Sequence, residues 1–247
     1  MSIAYLGRES LRQLKNMRAM IFTLAVPLVM LFGFGGTFGG AGQVDSTTHL
    51  PWIVVTTIQV AAYGGMMSAL SQAFQIVTER SIGWNRQLRI TPLSGTGYLV
   101  SKLVAALALA LFSIVVIIGV SIALYHPDLS VGSWLLAGLA IWCGVIPFAL
   151  LGILIGQFAK PEFAQPLFMA VFMGMAVLGG LWIPLQVFPA WVADVARAVP
   201  SYWLNRVGQL GALQSGDALT PAIVLTAWAL ALGALIVWRY RRDAARG

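Results

Sequence analysis

Apolar residues fill six stretches of the chain almost without interruption, at about 19 to 40, 51 to 75, 97 to 124, 133 to 158, 165 to 184 and 220 to 239. An α-helix needs roughly 20 apolar residues to cross a hydrocarbon core about 30 Å thick, so each stretch is predicted to span a membrane. Ahead of them, residues 2 to 18 follow a helical period. At about 100° per residue, Ile3, Leu6, Leu14 and Met17 share one arc and Arg8, Arg12 and Lys15 lie opposite. That pattern predicts an interfacial helix over 1–18, its basic edge toward anionic headgroups. A signal peptide competes for the same residues, but the apolar run that follows is too long and five more succeed it. The expected fold class is all-α: one polytopic transmembrane domain over 1–247.

Two segments break the alternation of long apolar runs and short loops. Thr78 to Lys102 reads TERSIGWNRQLRITPLSGTGYLVSK and places Glu79, Arg80, Arg86 and Arg89 within about three helical turns. A turn between spans needs only a few polar residues, so a charged helix over 78–93, stopped at Pro92, is expected to touch something. Trp84 and Leu88 are i,i+4 neighbours beside the basic edge of Arg86 and Arg89. Periodicity alone fits two readings: a knob seated in a soluble partner, or a membrane-lying helix anchored by Trp84. The second segment, Leu181 to Arg206, is punctuated by Pro184, Pro189 and Pro200 and cannot be one span. Short helices over 185–206 are expected at the outer face, re-entering the outer leaflet or lying on it, with Trp182, Trp191, Tyr202 and Trp203 as an aromatic belt. A loop is expected from Gly208 to Thr220.

Composition supports the membrane reading, since 59% of the 247 residues are hydrophobic and only 9% charged. The net charge of +7 is topogenic in origin. With the N-terminus, the 2/3 loop, the 4/5 loop and the C-terminus inside, thirteen of the fifteen Lys and Arg residues fall inside and only Arg197 and Arg206 outside. Both termini and the 78–93 helix are therefore expected in the cytoplasm, in a bacterial inner membrane and among its lipids, with no nucleic-acid partner. A single Cys143 excludes a disulfide framework. Gly35, Gly36, Gly39 and Gly40 make overlapping GxxxG spacings, and Gly152 and Gly156 another; intramolecular packing and a dimer seam are both open. In the second span Thr56, Gln59, Tyr63 and Met67 share one face and Ser68, Ser71, Gln72 and Gln75 another. Hydrogen bonding to a neighbouring helix and a substrate-facing surface both fit.

Enzyme chemistry is missing. His49 and His126 sit in separate loops, and no GxSxG, HExxH or paired-carboxylate pattern falls in a span. No catalytic residue, metal site or resident cofactor is expected. No span carries a charge near its midplane, which disfavours a proton-coupled carrier. No GxxxxGK[ST] loop precedes Lys15, Lys102 or Lys160, so uphill transport requires energy from another protein.

The string ERSIGWNRQLRITPLSGTGYLVSK resembles the coupling region of type-2 ATP-binding-cassette (ABC) exporter permeases, through Glu79, Arg80, Gly83, Leu88, Thr91 with Pro92, and Lys102. IPLQVFPAWVADVARAVPSYWLNR is similar to the same family's signature after the fifth span, through Pro184, Pro189, Trp191, Pro200, Tyr202 and Arg206. The resemblance, closest in kind to the drug-resistance, daunorubicin-exporter-like branch, implies a non-catalytic permease. Its implied partners are a second permease copy or a sister permease, and two ABC ATPase subunits that hold ATP and Mg. It also implies a substrate route between permeases, with Phe34, Gln59, Tyr63 and Phe172 as candidates and the outer hairpin at the exit. An aromatic-lined route suggests an amphipathic drug, antibiotic or lipid-like cargo. Two rivals stand beside it: a lipid or polysaccharide exporter of the same class, and a sensor or immunity subunit that binds a toxic peptide. An encoded ATPase neighbour would favour the exporter, and a neighbouring kinase without one the sensor.

Overall fold

The computed structural model describes residues 17–38, 44–45, 48–82, 95–182, 185 and 188–244, with side chains described within 23–36, 44–45, 48–82, 97–182, 185 and 188–239. The interfacial helix expected over 1–18 lies, up to residue 16, outside them. Among the described residues ten α-helices follow in order: α1 Met17–Phe38, α2 Trp52–Leu70, α3 Gln72–Ser81, α4 Gly95–Tyr125, α5 Val131–Gly144, α6 Ile146–Phe158, α7 Pro161–Leu178, α8 Ala190–Ala196, α9 Pro200–Leu213 and α10 Leu219–Ala244. Among the described residues the only β pairing is an isolated bridge between Val44 and Pro51. The chain is all-helical.

Among the described residues five helical stretches are long and apolar enough to cross a membrane: Trp52–Ser81, Gly97–Tyr125, Val131–Phe158, Pro161–Leu178 and Leu219–Arg239. In α1 the apolar described portion, Thr23–Gly36, is shorter. Trp52–Ser81 is the hub, with 89% of its apolar window buried, against 22% for Pro161–Leu178 and for Leu219–Arg239. Those two helices turn apolar faces outward, with Phe163, Met169, Ile223 and Leu230 exposed, as suits a lipid-contacting surface.

Small residues set the close crossings around the hub. A Cβ on Gly64 would lie 2.6 Å from the Ile117 side chain of α4, and one on Gly152 2.8 Å from the Leu70 carbonyl oxygen, so α6 approaches the hub at backbone distance. Gly156 sits likewise against Ile76. The Gly152/Gly156 spacing thus serves packing within the chain. Thr57 and the Ser121 hydroxyl of α4 bond at 2.6 Å, and Trp142 Nε1 of α5 donates to the Leu107 carbonyl of α4 at 2.9 Å. The hydroxyls of Ser68 and Ser71 turn back on their own helix, donating to the carbonyls of Gly64 at 2.8 Å and Ser68 at 2.6 Å. Such back-bonding loosens the helical ladder, and a single residue, Ser71, marks the irregularity between α2 and α3 without ending the run. Between α5 and α6 the break at Val145 precedes Pro147, which has no N–H to continue the ladder.

Two boundaries depart from the hydropathy reading. The fifth apolar stretch was expected to run to residue 184, but α7 stops at Leu178. Gly180 then adopts φ 65°, and a Cβ on Gly179 would lie 2.6 Å from Ser201. The loop expected from Gly208 to Thr220 is instead helical to Leu213. Glycine there makes a contact surface rather than a bend: Gly208 packs on Ile141 and Ile58, and a Cβ on Gly211 would lie 2.8 Å from the Ala137 backbone.

That packing fixes the depth of the hairpin. Reading along α9, Leu204 meets Gly144, Gly208 meets Ile141, Gly211 meets Ala137, and Gln214 Nε2 donates to the Ser133 hydroxyl at 3.0 Å. Hence α9 runs antiparallel to α5. At about 1.5 Å per residue, its first turn lies roughly 20 Å along α5 from Val131. The segment after α7 re-enters the bundle.

Candidate functional site

The two unusual segments of the sequence build sites at opposite ends of the hub. Gln59 and Glu79 are separated along Trp52–Ser81 by roughly 30 Å of helix, the thickness of a hydrocarbon core.

At one end, the charged stretch begins as the last turn of α3, continuous with the hub. Its carboxylate is shared: Glu79 Oε1 accepts from Lys102 Nζ at 2.5 Å, and Oε2 from the Tyr98 hydroxyl at 2.5 Å. Lys102 Nζ also lies 5.4 Å from the Tyr98 ring centroid, a cation–π contact. The Lys102 side chain is 1% exposed and that of Glu79 18%, so this is a largely buried, charge-assisted pair. Arg80 turns the other way. Its Nη1 donates to the carbonyl oxygens of Gly156 at 2.9 Å and Ala159 at 3.3 Å, capping the end of α6. Glu79 therefore ties α3 to α4, and Arg80 ties it to α6. Residues 83–94, between the two tied ends, carry Gly83, Trp84, Arg86, Leu88, Arg89 and Pro92, all outside the described residues. At this end of the hub lies a recess of ≈ 230 Å³ lined by Phe74, Val77, Thr78, Ser81, Pro161, Ala164 and Gln165.

At the other end, α8 and α9 fold over the hub. Pro189 precedes the first turn of α8, where its fixed φ and missing N–H do no harm, and Pro200 opens α9 in the same way. Trp191 is 66% exposed on α8. Trp203 Nε1 donates to the Arg197 carbonyl at 2.7 Å and closes the turn between the two helices, and Tyr202 meets the Trp203 ring edge-on with centroids 5.0 Å apart. Beneath them opens a recess of ≈ 360 Å³ that brings Gln59 of the hub together with Tyr202, Asn205, Arg206 and Gln209 of α9 and Arg197. Pro184 lies outside the described residues.

The other passage candidates are inside the bundle. Tyr63 is 2% and Phe172 1% exposed, their rings 4.9 Å apart, and the contact continues through Phe168 to Phe74 at 5.7 and 4.6 Å. This aromatic column joins the hub to α7. Phe34 packs half-buried against the same core. Among the described residues no three His, Cys, Asp or Glu side chains come together as a metal cluster would require.

With these two ends in view, the comparison with known proteins is decisive: residues 3–209 match the ABC-2 type transporter family. The chain belongs to that family. It is also 28% identical over 198 residues to the Bacillus subtilis (strain 168) protein named "Putative transport permease YvfS", covering 80% of this chain and 81% of that one. Membership makes this a multi-pass permease component of an ABC transporter, a generally non-catalytic subunit that associates with an ABC ATPase. For the permease, Tyr98, Asn205 and Gln209 were not among the residues singled out by pattern. Tyr98 and Asn205 fall within the two unusual segments and Gln209 three residues past the second, but neither charge nor periodicity marked them.

Proposed function

We propose that the permease belongs to an ATP-driven exporter that moves an amphipathic drug, antibiotic or lipid-like substrate out of the cytoplasm, in the manner of the drug-resistance branch. Both termini and the 83–94 segment face the cytoplasm of a bacterial inner membrane. There Trp84, Arg86, Leu88 and Arg89 meet one of two ATPase subunits, which carry the ATP and Mg. A second permease completes the route, with Gln59 on its wall, the Tyr63–Phe172 column behind it and the outer hairpin at the exit.

The observation that carries this reading is the pair of ties at the ends of 83–94. A slack loop would absorb a displacement imposed by a partner, whereas Glu79 and Arg80 hand it to α4 and α6 as well as to the hub. The chain itself supplies no phosphate-cradling loop, so motion delivered there is the energy input. In proteoliposomes holding permease and ATPase, Arg86→Glu and Glu79→Ala are expected to leave ATP hydrolysis running while transport falls. Normal export by both variants, with the ATPase still co-purifying, overturns the coupling assignment.

A further inference from the structure

We infer that the recess beneath α8 and α9 is a binding site for the anionic head of an amphiphile, a phosphate or carboxylate carried on an apolar tail. Four observations meet there. First, Arg197 and Arg206, the two cationic side chains that the charge distribution leaves at this end of the bundle, both line one cavity of ≈ 360 Å³. Second, among the described residues no Asp or Glu lines it. Asp194, the nearest acid in sequence, pairs with Arg197 at 3.2 Å on the rim, where both side chains are mostly exposed and the pair is readily exchanged. Third, among the described residues no hydrogen bond or ion pair reaches the half-buried Arg206 guanidinium or the half-buried Gln59 amide. The bonds of Asn205 and Gln209 are stretched to 3.5 Å, at the limit of a hydrogen bond.

Fourth, the site is deep. Arg206 lies between Leu204, which meets Gly144, and Gly208, which meets Ile141. That places it roughly 15 Å along α5 from Val131, within the thickness a membrane covers. A cation without a protein counter-ion at that depth is costly unless a ligand or water serves it, and such residues mark ligand paths. Arginine presents a planar fork of donors that fits two oxygens of a phosphate or carboxylate, and the amides of Gln59 and Gln209 supply further donors. The apolar part of the wall, Leu185, Phe188 and Ala190, suits the start of a tail.

Two sources can deliver that head: a lipid of the surrounding leaflet, or an acidic amphiphile in transit. The site is independent of transport direction and of the coupling assignment, so its test uses the purified full chain without an ATPase. Native mass spectrometry from detergent micelles measures retention of phosphatidylglycerol against phosphatidylcholine of the same chains, then displacement by dodecyl phosphate. Wild type is expected to retain phosphatidylglycerol preferentially, and Arg206→Gln to lower that preference about tenfold, the loss of one charge-assisted contact. Retention unaffected by dodecyl phosphate identifies a resident lipid; displacement identifies a site open to single-chain acidic amphiphiles. Should Arg206→Gln fail to purify, Arg206→Lys is expected to keep most of the preference and Arg197→Gln, at the rim, to lower it about threefold. Equal retention of the two lipids by wild type, or an unchanged preference in the charge-removing variants, overturns the site.

Discussion

Glu79→Ala separates a structural tie from a mere surface charge. The substitution removes the carboxylate that Lys102 and Tyr98 share and leaves an ammonium on a side chain 1% exposed. Breaking a buried pair from one side costs about 3–5 kcal/mol. The 18% exposure of Glu79 lets some water in, which points to the lower end, about 3 kcal/mol. For a chain of this size that corresponds to a fall in Tm of about 6–12 °C. The assay is thermal unfolding of the detergent-purified permease, followed by tryptophan fluorescence, across a double-mutant cycle of Glu79→Leu, Lys102→Met and both together. Removing both charges leaves neither ion buried without the other, so the double variant should recover most of the stability, with a coupling energy of about 2 kcal/mol. A Glu79→Ala protein that melts with the wild type, or losses that simply add in the double variant, would show that the pair does not hold α3 to α4.

Other expectations are simpler. Arg80→Ala uncaps the α6 carbonyls of Gly156 and Ala159 and should lower stability by about 1 kcal/mol, with faster amide exchange confined to the α6–α7 junction. Glycines divide by what surrounds them: Gly152→Val and Gly211→Val push against backbone at 2.8 Å and should reduce the yield of folded protein, whereas Gly233→Ala meets nothing within 4 Å and should raise Tm slightly. Asp217 caps α10, accepting from the Thr220 hydroxyl and from the amides of Leu219 and Thr220. These bonds, the Thr220 hydroxyl foremost, hold its carboxyl below the usual carboxylate value. A depressed folded-state value means the cap is intact above the ordinary carboxylate range and is lost as pH falls through the depressed one. Amide exchange at Leu219 and Thr220 should therefore rise on acidification beyond its intrinsic rate, and Asp217→Ala should show that rise already at neutral pH.

Much of the helical architecture was legible because hydrocarbon leaves few choices: a long apolar run with satisfied backbone is a helix. The departures come where glycine was read by its usual local meaning. Gly208 and Gly211 look like loop residues in isolation, and only the presence of Ile141 and Ala137 opposite them explains why they extend α9. Gly179 and Gly180 look like span residues for the converse reason, since nothing in hydropathy announces the contact of Gly179 with Ser201 or the positive φ of Gly180. At the sites, the charge of Glu79 and Arg80 was visible, but the directions they point were not. Lys102 lies 23 residues from Glu79, and the carbonyls that Arg80 caps lie 76 and 79 residues away. The recess was legible only as a residue of the charge count, which left Arg197 and Arg206 on the minority side without saying that they meet.

The depth of α9 also has an electrical consequence. Moving one elementary charge across a whole membrane is worth about 2.3 kcal/mol per 100 mV. With Arg206 roughly 15 Å along the bundle from Val131, an anion leaving the recess for the nearer aqueous phase crosses at most about a third of that drop, or about 0.8 kcal/mol per 100 mV. If the recess faces the exterior of a cell whose interior is negative, as proposed above, the field pushes such an anion outward. Resting voltage then biases release several-fold without any further motion of the permease.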